Sequence, residues 1–353
     1  MTIDVDRQRL LDSLDPLLLA HAPPGGEGEV NRVLRSLLGS GGDALREDRA
    51  GNLVIHVPGR SSDAPIAVAA HQDEIAMIIK RVEENGRLRV QPLGGLHPWA
   101  IGESPVEVLT GQGSLRGVLS IGAKHVSRES PAGAIKEGEA LTWEKMWVET
   151  KLDAKELAAA GVRVGRRVVI ARERKASWRL GGDRFVCGYN LDCRGGLAIL
   201  VEVARQLAAE PPARDVYLVA SSEEEIGGQG ALYTAAQLPA DTLIAVDVAP
   251  VAEEYQTRNT GDPVLLCRDS QGVYHQGIID RLAALSGGLG FGVQLAVVTS
   301  YGSDASIARA RGAVARSALL GYPGDNTHGY EICSIDGLVN TARLLLAYLR
   351  EPL

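Results

Sequence analysis

The chain has 353 residues, enough for about two domains, and a net charge of −7 from 37 Lys+Arg against 44 Asp+Glu. Hydrophobic residues at 45% and charged residues at 23% are ordinary for a globular protein and argue against wholesale disorder. The acidic balance argues against a nucleic-acid partner, and no apolar run of about 18 residues is present to span a membrane.

The N-terminal stretch reads as helix, with Leu10, Leu11, Leu14, Leu17 and Leu18 at helical spacing until Pro23-Pro24-Gly25. A second helix carries Val30, Val33, Leu34, Leu37 and Leu38 on one face. Residues 52–57 and 64–70 then read as strands. The second is apolar almost throughout, as suits a strand buried on both faces of a parallel sheet. Between about residues 77 and 179 the pattern changes to short β-type runs separated by Gly turns, at 88–90, 106–109, 117–121 and 168–171. Residues 129–144 read as a mobile loop, and 153–160 as one short helix.

From Phe185 the chain alternates again: helix 194–209, strand 215–220, helix 230–238, strand 242–248, helix 277–285, strand 293–299, helix 304–311, strand 314–319 and a last helix 336–350. This predicts an α/β fold with a mixed, mostly parallel sheet covered by helices on both faces. Residues 1–76 and 180–353 would form that domain, interrupted by a small β-rich inserted domain, PDZ-like or barrel, over 77–179. Four cysteines make no CxxC pair and are too few for a disulfide framework, and the N-terminus does not read as a signal peptide. A cytoplasmic location is therefore expected.

Polar residues fall where these strands end. His71-Gln72-Asp73-Glu74 follows the strand at 64–70, Glu223-Glu224-Glu225 follows the one ending at Ala220, and Asp247 follows the apolar run 243–246. His328 comes shortly after the strand at 314–319, and Asp192 precedes a helix. Ligands of open α/β sheets bind at the carboxyl ends of strands, so these side chains would converge on one crevice. Two imidazoles and three carboxylates are what a pair of divalent ions needs, zinc first, with cobalt or manganese as replacements. In this reading Asp192 bridges the ions, His71 and Asp247 hold one, and Glu225 and His328 hold the other. Asp73 would orient His71, and Glu224 would act as general base toward a metal-activated water.

Taken singly, each residue has an ordinary alternative: a helix cap for Asp192 or Asp247, a solvated acidic patch for the three glutamates. His21, His56, His97, His125 and His275 are read as ordinary surface or core residues. Other catalytic plans find no support, because HExxH, GxSxG and GxxxxGK[ST] are all absent.

His71-Gln72-Asp73-Glu74-Ile75, Leu191-Asp192-Cys193-Arg194-Gly195-Gly196, Glu224-Glu225-Ile226-Gly227-Gly228-Gln229-Gly230-Ala231, Asp247 and His328 together resemble the M42 family of metallo-aminopeptidases, the glutamyl, leucyl and TET-type enzymes. Gln91-Pro92-Leu93-Gly94-Gly95 and Gly161-Val162-Arg163-Val164-Gly165 resemble that family's β-rich dimerisation domain, and Gly302-Ser303-Asp304-Ala305 fits a further segment. The resemblance implies metal ligands at His71, Asp192, Glu225, Asp247 and His328, a catalytic glutamate at Glu224 and an orienting aspartate at Asp73. It also implies peptide substrates and a cytoplasmic homo-oligomer, often a hollow dodecamer. Cys193 departs from the family, which usually has a second Asp after the bridging one. Two alternatives remain: a related co-catalytic metallohydrolase (deacylase or carboxypeptidase), whose inserted domain usually follows the Glu pair, and a catalytically silent assembly subunit.

Overall fold

The computed structural model describes residues 3–39 and 45–351. A 12-stranded mixed sheet forms the larger body, with a closed six-stranded barrel beside it. Along the sheet the order runs Leu45–Glu47, Leu53–Val57, Val216–Ser221, Ile66–His71, Thr242–Pro250, Arg316–Asp325, Glu331–Ser334, Phe185–Gly188 and Trp178–Leu180. Along this path the four strands from Val216–Ser221 to Arg316–Asp325 run parallel to one another and the strands flanking them pair antiparallel; off it, Val264–Asp269 and Gln294–Val297 also pair in parallel. The parallel character read from sequence therefore belongs to the centre. There every residue of Ile66–His71 is buried, as a strand covered on both faces requires.

The helix Arg7–Leu19 starts at Asp6, whose side chain accepts a hydrogen bond from the Arg9 amide. It buries Leu10, Leu14 and Leu17 completely, packed with Gly28–Leu38 and Ile335–Arg350 around Leu191–Ala209. Each such leucine contributes roughly 1.5–3 kcal/mol of burial. The short helices Gln229–Ala235 and Asp304–Ala310 pack on each other and on the central strands. Among the described residues no helix is long and apolar enough to cross a membrane.

The barrel comprises Ala76–Val82, Leu88–Leu93, Ser104–Thr110, Gly113–Ser120, Trp147–Glu149 and Arg167–Ile170, all paired antiparallel. Met77, Ile79, Leu88, Val106, Val108 and Val168 fill it as a core separate from that of the sheet. Alternating inward apolar residues explain why this segment reads as short β runs.

Two expectations need correction. Residues 129–144 contain a helix, Pro131–Lys136, capped by the Ser130 hydroxyl on the Gly133 amide, and a turn of 3-10 helix at Trp143–Lys145. The strand read as 314–319 runs on to Asp325, because it stays paired with Thr242–Pro250 as far as Gly324.

Candidate metal centre

Parallel register brings the first residues together. Ser221 pairs with His71, and Ala245 with Ala69, which sets His71 and Asp247 level at the carboxyl end of the sheet. Two residues beyond the strand Val216–Ser221, Glu223 takes a left-handed backbone (φ 54°) that turns Glu224 and Glu225 toward the same place. His328 (φ 62°) and Asn190 (φ 66°), two residues before Asp192, are also left-handed. Such conformations disfavour ordinary side chains and persist where surrounding structure enforces them. The Asp192–Cys193 peptide bond is cis.

Asp192 lies between the two imidazoles. Its Oδ1 is 2.9 Å from His71 Nε2 and its Oδ2 is 3.4 Å from His328 Nε2. Asp247 Oδ1 is 3.8 Å from the same His71 nitrogen, and Glu225 Oε2 is 3.6 Å from His328 Nε2. On each ring the other nitrogen meets a backbone carbonyl, His71 Nδ1 with Asp73 O and His328 Nδ1 with Gly95 O, both at 3.1 Å. A proton donated from Nδ1 leaves Nε2 free as a metal ligand.

The Asp73 carboxylate sits 3.4 Å from His71 Nδ1, yet its shorter bonds go elsewhere. Its two oxygens accept the amides of Glu224 and Glu225 at 3.0 Å each. One side chain thus holds the backbone of both glutamates in place. Glu224 joins His71, Asp192, Glu225 and Asp247 around a cavity of about 640 Å³.

The electrostatics are those of a site short of positive charge. Burial lifts Glu225 to about 8, Asp247 to about 7 and Glu331 to about 8, with the Asp192 carboxylate raising all three further. Burial raises Glu224 strongly as well. For Asp192 burial is outweighed by the bonds from His328 and His71, which hold it below the usual carboxylate range. Burial would lower His328, but Glu225 and Asp192 push it up to about 11. Carboxylates this crowded cannot all ionise around two imidazoles, and divalent cations remove that conflict. His71, Asp192 and Glu225 offer ligand atoms within 4.8 Å of one another, and so do His71, Cys193 and Asp247. The donor set of imidazole and carboxylate fits zinc.

Further residues around this centre have no role assigned from sequence. Glu331 is buried on the strand Glu331–Ser334 and accepts the Asp192 amide at 2.9 Å and the His328 amide at 3.1 Å, tying two ligands by their backbones. Asp304 accepts from the Ser221 hydroxyl beneath the Glu224 loop. Lys175 and Glu74 form a fully buried ion pair at 2.5 Å, and Glu74 also accepts from Asn190 Nδ2 at 2.6 Å. Lys175 Nζ is 2.9 Å from His21 Nδ1, and His21 Nε2 is 3.3 Å from Glu107 on the barrel, so His21 belongs to a polar network between barrel and sheet. His97, also read as ordinary, lines the cavity. His56 stacks on Tyr217, and His275 precedes the helix Gln276–Leu289.

The family model described as M42 glutamyl aminopeptidase matches residues 51–344. The chain belongs to the M42 peptidase family. It is thereby a hydrolase of peptide bonds by family. A lysyl aminopeptidase of Pyrococcus furiosus is 32% identical over 64% of this chain and 63% of its own length, so the match spans less than two thirds of that relative. The solved aminopeptidase APDkam598 of the archaeon Desulfurococcus kamchatkensis is 26% identical and superposes with a TM-score of 0.88 over 98% of this chain and 95% of its own. The Pyrococcus horikoshii TET1 peptidase, described as assembling into a tetrahedron or a large octahedral shell, shares the fold at 22% identity, TM-score 0.86, over 97% and 99% of the two chains.

In this M42 peptidase the barrel reaches the centre through Gly94 and Gly95. A Cβ on Gly95 would sit 2.6 Å from His328 Nδ1 and 2.8 Å from its Cε1. Gly95→Ala is therefore expected to displace that ring and weaken zinc binding at the His328 side by about 10–100-fold, the range seen when support of a ligand is lost. Zinc titration of metal-depleted protein checks this, and two unchanged binding steps would count against it.

Proposed function

We propose that this M42 peptidase is a dinuclear-metal aminopeptidase that removes N-terminal residues from peptides. The observation that carries the reading is the placement of Asp192, one carboxylate oxygen facing each imidazole, with Asp247 and Glu225 completing the two sides. His71, Asp247 and Asp192 would hold one ion, Glu225, His328 and Asp192 the other. Two such ions, zinc by donor type, would supply Lewis-acid polarisation of the peptide carbonyl and a water of lowered pKa.

The chain's own groups do the rest. Glu224 takes the proton from the attacking water and passes it to the departing amine as the C–N bond breaks. Asp73 holds the Glu224 and Glu225 amides, so base and ligand are aimed by one carboxylate.

The cavity wall opposite the barrel contains Tyr255, Gln271, Ser300 and Tyr301 beside Pro250 and Ile307, with no Lys, Arg, Asp or Glu apart from the metal-centre carboxylates. Desolvating a charged side chain there without a partner is costly. A neutral N-terminal residue is therefore preferred over Lys or Glu, although the relative from Pyrococcus furiosus is named for lysine. Homo-oligomeric assembly, with the barrel as a dimerisation domain, and a cytoplasmic location are part of the same proposal.

Amino-acid p-nitroanilides of Leu, Met, Lys and Glu, assayed with zinc and then cobalt, test it. Leu and Met are expected to exceed Lys and Glu in kcat/KM by about tenfold or more, equivalent to ~1.4 kcal/mol. Bound zinc without turnover would reject the aminopeptidase. Cleavage restricted to N-acylated substrates would point to the deacylase plan instead.

A further inference from the structure

A second groove opens beside the catalytic cavity, and the two share Gly95 and His97. It encloses about 390 Å³ between Leu96, Pro98, Trp99, Leu141 and Trp143. The groove is built by the barrel, from the same loop that touches the metal centre. A Cβ on Gly94 would lie 2.9 Å from Glu225 Oε2, and one on Gly95 would meet His328, so these two residues press bare backbone against two of the three proposed ligands of one ion. The next residues of that loop form the groove wall without a break.

The wall is ordered by its own interactions. The His97 and Trp99 rings stack 5.1 Å apart at 11°. Trp143 Nε1 donates to the Leu96 carbonyl at 3.1 Å, joining the two sides of the groove. Trp99 is nevertheless 69% exposed, in a chain with only 4 Trp and 2 Phe. A large ring left in water at the mouth of a catalytic cavity is a surface suited to being covered, since burial of Trp contributes strongly to binding.

The direction of the substrate says what covers it. On the side away from the barrel the cavity is backed by protein: Tyr255 Oη lies 3.3 Å from Ser300 Oγ, and the Tyr301 carbonyl accepts the Ser270 amide at 2.9 Å. A peptide cut at its first bond continues out of the cavity, and the shared residues Gly95 and His97 lead from there into the groove. We propose that the groove is a binding subsite for the second and third residues of the peptide, taking apolar or aromatic side chains against the His97–Trp99 stack. Glu144, at the groove edge, disfavours acidic residues there. The inference rests on the aminopeptidase reading.

The test compares Leu-Phe-Phe-Ala with Leu-Ala-Ala-Ala, with leucinamide as the substrate that has no following residue. In the full-length zinc enzyme the aromatic peptide is expected to exceed the alanine peptide about tenfold in kcat/KM, mostly through KM, as one aromatic contact allows. Trp99→Ala is expected to bring that ratio close to one. The same ratio in both proteins overturns the proposal. So does loss of oligomeric state by light scattering with the ratio unchanged, because Trp99 would then pack on a second copy. If neither peptide nor leucinamide is turned over, the catalytic reading fails separately. The groove is then judged by calorimetric binding of Leu-Phe-Phe-Ala, which Trp99→Ala must still weaken about tenfold.

Discussion

Glu224→Gln is expected to lower kcat for leucyl p-nitroanilide by about 10²–10⁴-fold, the usual worth of a positioned proton-transfer group, while two zinc ions stay bound. The amide is nearly isosteric with the carboxylate but cannot accept the proton from water. Asp73 holds residue 224 through its main-chain amide, so the loop keeps its position in the variant. Burial and the Asp304 carboxylate raise the free Glu224 carboxyl, and cations bound beside it would lower it again, toward the range the proposed base needs. Zinc content by atomic absorption and kcat measured on the same sample check the prediction. Near wild-type turnover would remove Glu224 from the proton path.

Asp192→Asn is expected to release both ions together and to abolish activity. Its two oxygens face different imidazoles, so one substitution removes an anionic donor from each side. A neutral amide is a poor ligand for two dications, and loss of affinity of at least about 100-fold at each site is expected, beyond the 10–100-fold seen for supporting residues. Equilibrium zinc titration against a chelator reads both steps. One ion kept at wild-type affinity would mean that Asp192 serves a single metal.

Much of the central sheet is legible in the chain because its signals are local. Ile66–His71 is apolar until its last residue, and a strand buried on both faces leaves that signature wherever it occurs. The edges are harder. Trp178–Leu180 and Glu331–Ser334 are three and four residues long, too short for any periodicity to register. Val264–Asp269 has the apolar run Val264-Leu265-Leu266-Cys267, which fits a strand or a buried helical turn equally well, and only pairing with Gln294–Val297 and Arg316–Asp325 decides.

The centre divides in the same way. Residue types with a recognisable chemical role, His71, Asp192, Glu224, Glu225, Asp247 and His328, can be picked out by their place after apolar runs and by family resemblance. Some supports, such as Asp73, Gly95 and Asp304, lie in segments that carry the resemblance, but what each one touches is not legible there. Glu331 is one acidic residue among 44 until the fold puts its carboxylate against the amides of Asp192 and His328, and Gly95 is one glycine among 41 until His328 fills the space a Cβ would need. Lys175 reads as a surface lysine in Arg-Glu-Arg-Lys, yet it is buried beside Glu74, 101 residues away. Hydrophobic period and donor chemistry are properties of neighbours along the chain, so the sequence alone determined the α/β rhythm and the kinds of ligand available. Which atoms meet, which proton each imidazole keeps and which carboxylates are crowded depend on distances between remote segments, and those were decided only when the sheet and the barrel closed around them.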